Sequence, residues 1–316
     1  MLAKSKKVSI LLPVFQGEKF IAQAIESLLS QSFEDYLIII SDDASTDRTS
    51  EICRRYSKKN KKIIYKKNKT NVGGQANFLN LLHDVKTEYV VWASQDDYWH
   101  ERFLEILVGE LEEDADLSLA FSAIQLIDRD SRVRELHFNN KWNPNNLSQY
   151  GLIAALLLPI YKLSWLKTNL AIHGVVRTAA MKNAFDNLLG IANHDRIFVL
   201  FTIFYGKWRY VERVLYFRRT FTGVELRIKS QDKILLAQNN ILAPIISSFK
   251  MLYGAARISC IPLRMKLFTL VIVILYGMCS YSSKIVLHIA YLIRQYCGEG
   301  SFKYIRALYR RLKSSL

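Results

Sequence analysis

The chain has 316 residues, half of them hydrophobic, with 44 Lys and Arg set against 28 Asp and Glu. That length and apolar content exclude a disordered chain and leave room for one large domain plus an appendage. The formal charge of +16 is uneven: from Leu226 to Leu316, 14 Lys and Arg face 2 acidic residues, so 12 of the excess positive charges lie there.

In chain order, Val8–Val14 is an apolar run broken only by Ser9 and containing Pro13, which reads as a buried parallel strand. Between Gly17 and Leu29 the apolar residues Phe20, Ile21, Ala24, Ile25, Leu28 and Leu29 have helical spacing. Leu37–Ser41 is a second strand. Ser45, Thr46 and Asp47 then supply capping chemistry for a helix running to about Tyr56.

Lys62–Tyr65 is a short third strand. Asn71-Val72-Gly73-Gly74 is a turn before a helix carrying Phe78, Leu79, Leu81 and Leu82. Glu88–Ser94 is a fourth strand, followed by a helix over Glu101–Leu111 and a strand over Ser118–Ala123. This alternation argues for an α/β fold with a parallel sheet and helices on both faces.

Asn139–Asn146 reads as a surface loop, and Leu152–Leu166 as a packed helical hairpin or a covering element. Ile172–Val176 and Trp208–Phe217 read as two further strands around a helix over His194–Tyr205. From Lys229 onward the pattern is helical. Its apolar runs, such as Leu267–Tyr276, fall short of the ~20 apolar residues that a membrane span needs.

The four cysteines Cys53, Cys260, Cys279 and Cys297 form no C-x-x-C pair and have no His cluster beside them, so neither a zinc site nor a disulfide framework is implied. Nor does the N-terminus carry the apolar segment of a secretory signal. Reduced thiols in a cytoplasmic protein are the expectation.

Two strands end in paired carboxylates: Asp42-Asp43 after Tyr36–Ile40, and Gln95-Asp96-Asp97 after Tyr89–Ala93. Like charges held together raise the pKa of at least one member unless a cation is present. A divalent metal carrying a diphosphate resolves that cost. The pattern points to a nucleotide-diphosphate site at the carboxyl edge of the sheet, where open α/β folds bind ligands.

Val8–Phe15, Ser41–Asp47, Asn71–Asn77 and Ser94–Asp97 occur in the order and spacing of family 2 glycosyltransferases. The resemblance spans roughly residues 8 to 220. It implies an inverting sugar transferase with a GT-A fold, a Rossmann-like mixed sheet. Gln95-Asp96-Asp97 and the later His194-Asp195 resemble the bacterial rhamnosyltransferase-type branch.

The resemblance also implies roles for residues. Asp43 accepts the imide N–H of a uracil or thymine base, and Phe15 stacks on that base. A core aromatic is the competing reading of Phe15, and a turn or capping role that of Asp42. Pro13, Asp42, Asn71 and Gln75 belong to the same nucleotide-binding set. Gly73 and Gly74 admit the nucleotide close to the backbone.

Asp97 is implied as the ligand of Mg²⁺ or Mn²⁺, and Asp96 as a contact to ribose or to metal-bound water. Asp195 is implied as the general base, with His194 beside it tuning the base or binding acceptor. Leu215–Gly223 departs from the family: Thr220 and Phe221 stand where a histidine is usual. Arg218 or Arg219 then supplies positive charge to the diphosphate.

The expected organisation is a catalytic domain over residues 1–225 and a basic helical region over 226–316. The donor is read as dTDP-rhamnose or a UDP-sugar, and the acceptor as a polyprenyl-linked surface glycan. The basic helices are read as contacts to the inner face of the cytoplasmic membrane, against a bundle that packs on the catalytic domain or forms a homo-oligomer. No nucleic-acid module accompanies the charge, so no nucleic-acid partner is expected. A non-catalytic nucleotide-sugar binder or scaffold of a glycan-assembly complex is the alternative reading.

Overall fold

The computed structural model describes residues 6–136, 145, 171–186 and 202–221. Within them lie the strands β1 (Val8–Val14), β2 (Tyr36–Asp42), β3 (Ile63–Lys67), β4 (Tyr89–Trp92) and β5 (Tyr98–Trp99). Then follow β6 (Leu117–Ile127), β7 (Val133–Leu136), β8 (Val175–Arg177) and β9 (Lys207–Arg219). The helices are α1 (Ile21–Leu29), α2 (Thr49–Lys59), α3 (Gly74–Asp84), α4 (Phe103–Glu113) and α5 (Thr178–Asp186).

All nine strands form one sheet in the order β3-β2-β1-β4-β8-β6-β9-β5, with β7 paired to β6. The first four strands in that order are parallel, as the sequence predicts. In the second half β8 runs antiparallel to both β4 and β6, which departs from the parallel pattern of the alternating elements and matches the mixed sheet that the resemblance implies. β6 and β9 pair in parallel, and β5 runs antiparallel to β9. The sheet is therefore mixed, as in a GT-A fold.

Along β1 the alternation of a strand sorts its residues between two layers. Val8, Ile10, Leu12 and Val14 join a core with Ile21, Ile25 and Leu28 of α1, Cys53 of α2, and Phe103, Leu107 and Leu111 of α4. From the other side α3 packs on β1 and β2. Both faces of β1 are thereby covered, which is why its sequence is apolar without alternation.

Several predicted bounds shift. The segment predicted as a strand over Ile172–Val176 is a turn through Ile172 and His173 that enters β8 at Val175. The strand after α4 runs to Ile127 rather than Ala123, and β9 extends to Arg219. The loop over 139–146, the apolar element over 152–166 and everything from Lys229 onward lie outside the described residues, Asn145 excepted. Among the described residues no helix is long and apolar enough to cross a membrane.

Candidate active site

The chain order β1-β2-β3 moves outward along the sheet, and β4 returns to the other side of β1. The carboxyl ends of β1 and β4 thus form a topological switch point, the crevice of an open α/β sheet. A cleft of about 490 Å³ opens there. It is lined by Pro13, Phe15, Asp43, Gly74, Trp92, Ser94, Gln95, Asp96, His173 and Arg218, among others. A wider depression of about 760 Å³ lies on the α2 surface, where Arg48, Arg54, Arg55 and Lys58 mix with Glu18, Asp47 and Glu51. The first cleft is the site, because the strand ends and their carboxylates converge on it.

Phe15 is 44% exposed at the rim, which removes the core-aromatic reading. Gln95 holds it in place: Oε1 accepts from Phe15 N at 2.8 Å, and Nε2 donates to Phe15 O at 2.9 Å. A Cβ on Gly17 would stand 2.7 Å from that same Oε1, so the loop after β1 and the turn after β4 interlock. The next residue, Gln16, has φ 51°. Its Oε1 accepts from Thr46 N and Asp47 N, which ties the loop after β1 to the loop after β2.

The two members of the first carboxylate pair do different work. Asp42 is fully buried and does not line the cleft. Oδ1 accepts from Ser45 N at 2.8 Å, and Oδ2 accepts from the hydroxyls of Ser50 and Tyr65. Burial raises its pKa, but the bonds from Ser45, Ser50 and Tyr65 outweigh that and hold it below the usual range. Those bonds also stabilise Ala44 at φ 61°. Asp42 thus serves the turn, the second of its two predicted readings.

Asp43 reaches the cleft. Its Oδ1 accepts from Asn68 Nδ2 at 2.8 Å and Val72 N at 2.9 Å, and its Oδ2 accepts from Gly73 N at 2.8 Å. Asn71 Oδ1 accepts from the same Gly73 N at 2.9 Å. Gly73 sits at φ 86°, a conformation that glycine adopts without a Cβ clash. Gly74 opens α3 with empty space where a Cβ would lie. The carboxylate and the glycine turn therefore build one rim of the cleft together.

The second pair divides the same way, and the member predicted as the metal ligand is the one set back from the cleft. Asp97 is 5% exposed and lies behind the cleft. Tyr216 Oη donates to its Oδ2, and Arg219 N donates to its Oδ1 at 2.7 Å. Burial pushes its carboxyl up to about 6, although Tyr216, Arg219 N and Arg218 favour the charged form. Both of its oxygens accept from protein donors, and Asp97 is not among the residues that line the cleft. Asp96 is the member that lines the cleft. Among the described residues no three His, Cys, Asp or Glu gather as a metal cluster. Of the pair, Asp96 is the hard oxygen donor that a cation entering the cleft would meet.

Arg218 and Arg219 point to opposite sides of β9, as neighbours on a strand must. Arg218 lines the cleft. Arg219 is 4% exposed and clasps the structure. It donates to the carbonyls of Asp96, Asp128 and Arg129 and to Gln23 Oε1, with its guanidinium 4.4 Å from the Phe20 ring centre. The positive charge expected at the diphosphate is thus available from Arg218 alone of the two.

His173 was not legible as a site residue. It lines the cleft, its Nδ1 lies 3.3 Å from Trp92 O, and its ring stacks on Tyr216 at 4.7 Å. Burial and the nearby Arg218 push its pKa down to about 3, against the bond to Trp92 O, so the ring is neutral. Trp92, which also lines the cleft, stacks on Phe78 at 3.6 Å. Asp195 and His194 lie outside the described residues, and of Gln75 only its place in α3 is described.

The sequence pattern described as Glycosyl transferase family 2 matches residues 9–187, more than half of the chain. An uncharacterised glycosyltransferase of Methanocaldococcus jannaschii is 26% identical over 145 residues, covering 45% of this chain and 50% of that protein. A poly(ribitol-phosphate) beta-glucosyltransferase of Bacillus spizizenii is 36% identical over 95 residues, 29% of this chain and 15% of that protein. The chain spans half or less of the length of these relatives. Among solved structures, residues 1–349 of S. aureus TarS in complex with UDP-GlcNAc match with a TM-score of 0.60 at 18% identity. That match covers 89% of this chain and 75% of the other and supports the fold.

Proposed function

The chain belongs to glycosyl transferase family 2, and on that premise we propose that it moves one sugar from a nucleotide diphosphate to a hydroxyl acceptor with inversion. The observation that carries this reading is the convergence of Phe15, Asp43, Asp96 and Arg218 on one cleft at the switch point of the sheet.

Phe15 offers an exposed ring at the rim for a flat base. Asp43 has three of its acceptor sites filled from the loop between β3 and α3, which leaves room for one more donor such as a base imide. Gly73 and Gly74 keep the rim thin, and Arg218 places a guanidinium toward the diphosphate. Asp96 would hold a divalent ion such as Mg²⁺ or Mn²⁺, which when bound would neutralise charge on the leaving diphosphate. Asp195 takes the proton from the acceptor hydroxyl as its oxygen attacks the anomeric carbon.

The donor is a UDP-sugar or dTDP-rhamnose. The UDP-GlcNAc complex of the TarS fold neighbour supports the UDP-sugar arm. The acceptor is a lipid-linked or surface glycan of bacterial polysaccharide assembly, in keeping with the polymer-modifying relative. Residues 1–225 form the catalytic domain, and the basic 226–316 region holds the enzyme at the inner membrane face.

Asp195→Asn tests the mechanism. It should abolish turnover, a loss on the order of 10²–10⁴-fold for a general base, while donor affinity stays unchanged in calorimetry. Unchanged turnover would remove Asp195 as the base.

A further inference from the structure

We infer that His173 determines specificity in the cleft: its Nε2 accepts a hydrogen bond from a sugar hydroxyl of the bound donor. This rests on the nucleotide-sugar reading above and adds a residue to it.

The tautomer follows from the geometry. Nδ1 lies 3.3 Å from Trp92 O, and a carbonyl oxygen only accepts, so Nδ1 carries the hydrogen. Neutral imidazole then has a lone pair on Nε2. Arg218 beside it in the cleft opposes a second proton. Among the described residues Nε2 has no hydrogen-bond partner.

The ring is fixed from two sides. It stacks on Tyr216, whose hydroxyl is committed to Asp97. The neighbouring Gly174 is pressed so closely to β6 that a Cβ would stand 2.3 Å from Ala120 O. A rigid acceptor on the cleft lining selects groups that bring a hydrogen. Ionised phosphate oxygens bring none, and the base imide is matched by Asp43. The hydroxyls of ribose and of the transferred sugar are what remain on a nucleotide sugar.

The test is calorimetric titration of the full chain, with Mn²⁺ present, by UDP and by UDP-GlcNAc. Wild type is compared with His173→Asn and His173→Gln. Asparagine keeps an N–H at the Nδ1 position for Trp92 O and offers nothing at Nε2. Glutamine places its amide oxygen near the Nε2 position and gives up the bond to Trp92 O.

The expected result is that His173→Asn weakens UDP-GlcNAc by about 3- to 10-fold, the size of one neutral hydrogen bond, while His173→Gln stays within about twofold of wild type. Weakening of UDP-GlcNAc alone assigns the hydroxyl to the transferred sugar, and equal weakening of UDP assigns it to ribose. Wild-type affinity in His173→Asn overturns the inference and leaves the nucleotide-sugar reading intact. So does a defect in His173→Gln alone or an equal one in both variants, since either would mark the Trp92 bond as the working contact. A wild-type chain that binds neither probe moves the same comparison to dTDP and dTDP-rhamnose, and failure of all four to bind overturns the nucleotide-sugar reading and this inference with it.

Discussion

At the residue scale, adjacency in sequence does not mean a shared role. Asp42 and Asp97 are bonded into the structure off the cleft, whereas Asp43, itself buried, and Asp96 line it. Arg218 and Arg219 divide in the same way. The buried members leave a measurable trace. Burial disfavours the charged form of Asp97 and pushes its carboxyl up from the ordinary 3.8 to about 6. The folded state then binds the proton more tightly than the unfolded one. The resulting stability is fully present below about pH 4 and is lost as pH rises through 6. Urea denaturation of wild type and Asp97→Asn between pH 4 and 7 should show wild type losing on the order of 2–3 kcal/mol relative to the variant. Parallel pH profiles would contradict that environment. The two carboxylate pairs were legible from sequence as a site. Which member faces the ligand was not, because the partners that decide it, such as Tyr216 and Arg219 for Asp97, are more than a hundred residues away. His173 escaped notice for the same reason: its partner Trp92 lies 81 positions back, in another strand.

At the element scale, the first half of the sheet was readable because each strand is an apolar run bounded by turn chemistry and followed by a helix. The second half was not. β5 has two residues, too few to show a period, and the tight turn at Gly174 reverses the chain into β8. Gly174 deserves its glycine on packing grounds alone, since backbone of β6 occupies the place of a side chain. Gly174→Ala should therefore cost about 1–3 kcal/mol through forced separation of β8 from β6. The melting temperature should fall by about 2–4 °C for each kcal/mol in a domain of this size. An unchanged melting temperature would show that the two strands part without cost. Gln95 illustrates the gain from irregular segments: one side-chain amide pairs with both backbone groups of Phe15 and couples two loops that the sequence shows only as separate turns.

At the scale of the whole molecule, the charge is distributed with apparent purpose. The edge strand β3 carries exposed Lys66 and Lys67, which discourage edge-to-edge pairing with another sheet. The larger surplus lies beyond Leu226, outside the described residues, where the sequence alone speaks. If that region holds the enzyme on anionic lipid at about 1 kcal/mol per basic residue near the surface, truncation near Lys229 should abolish co-sedimentation with phosphatidylglycerol vesicles. Continued sedimentation of the truncated chain would remove the region from that role. The mixed sheet, the switch-point cleft and family membership together point to nucleotide-sugar binding. The most direct measurement is calorimetric titration of the full chain with UDP-GlcNAc, UDP-glucose and dTDP-rhamnose, each with and without Mn²⁺. Saturable binding of one of these, strengthened when Mn²⁺ is present, is the expected result. A folded chain that binds none of them in either condition would contradict it.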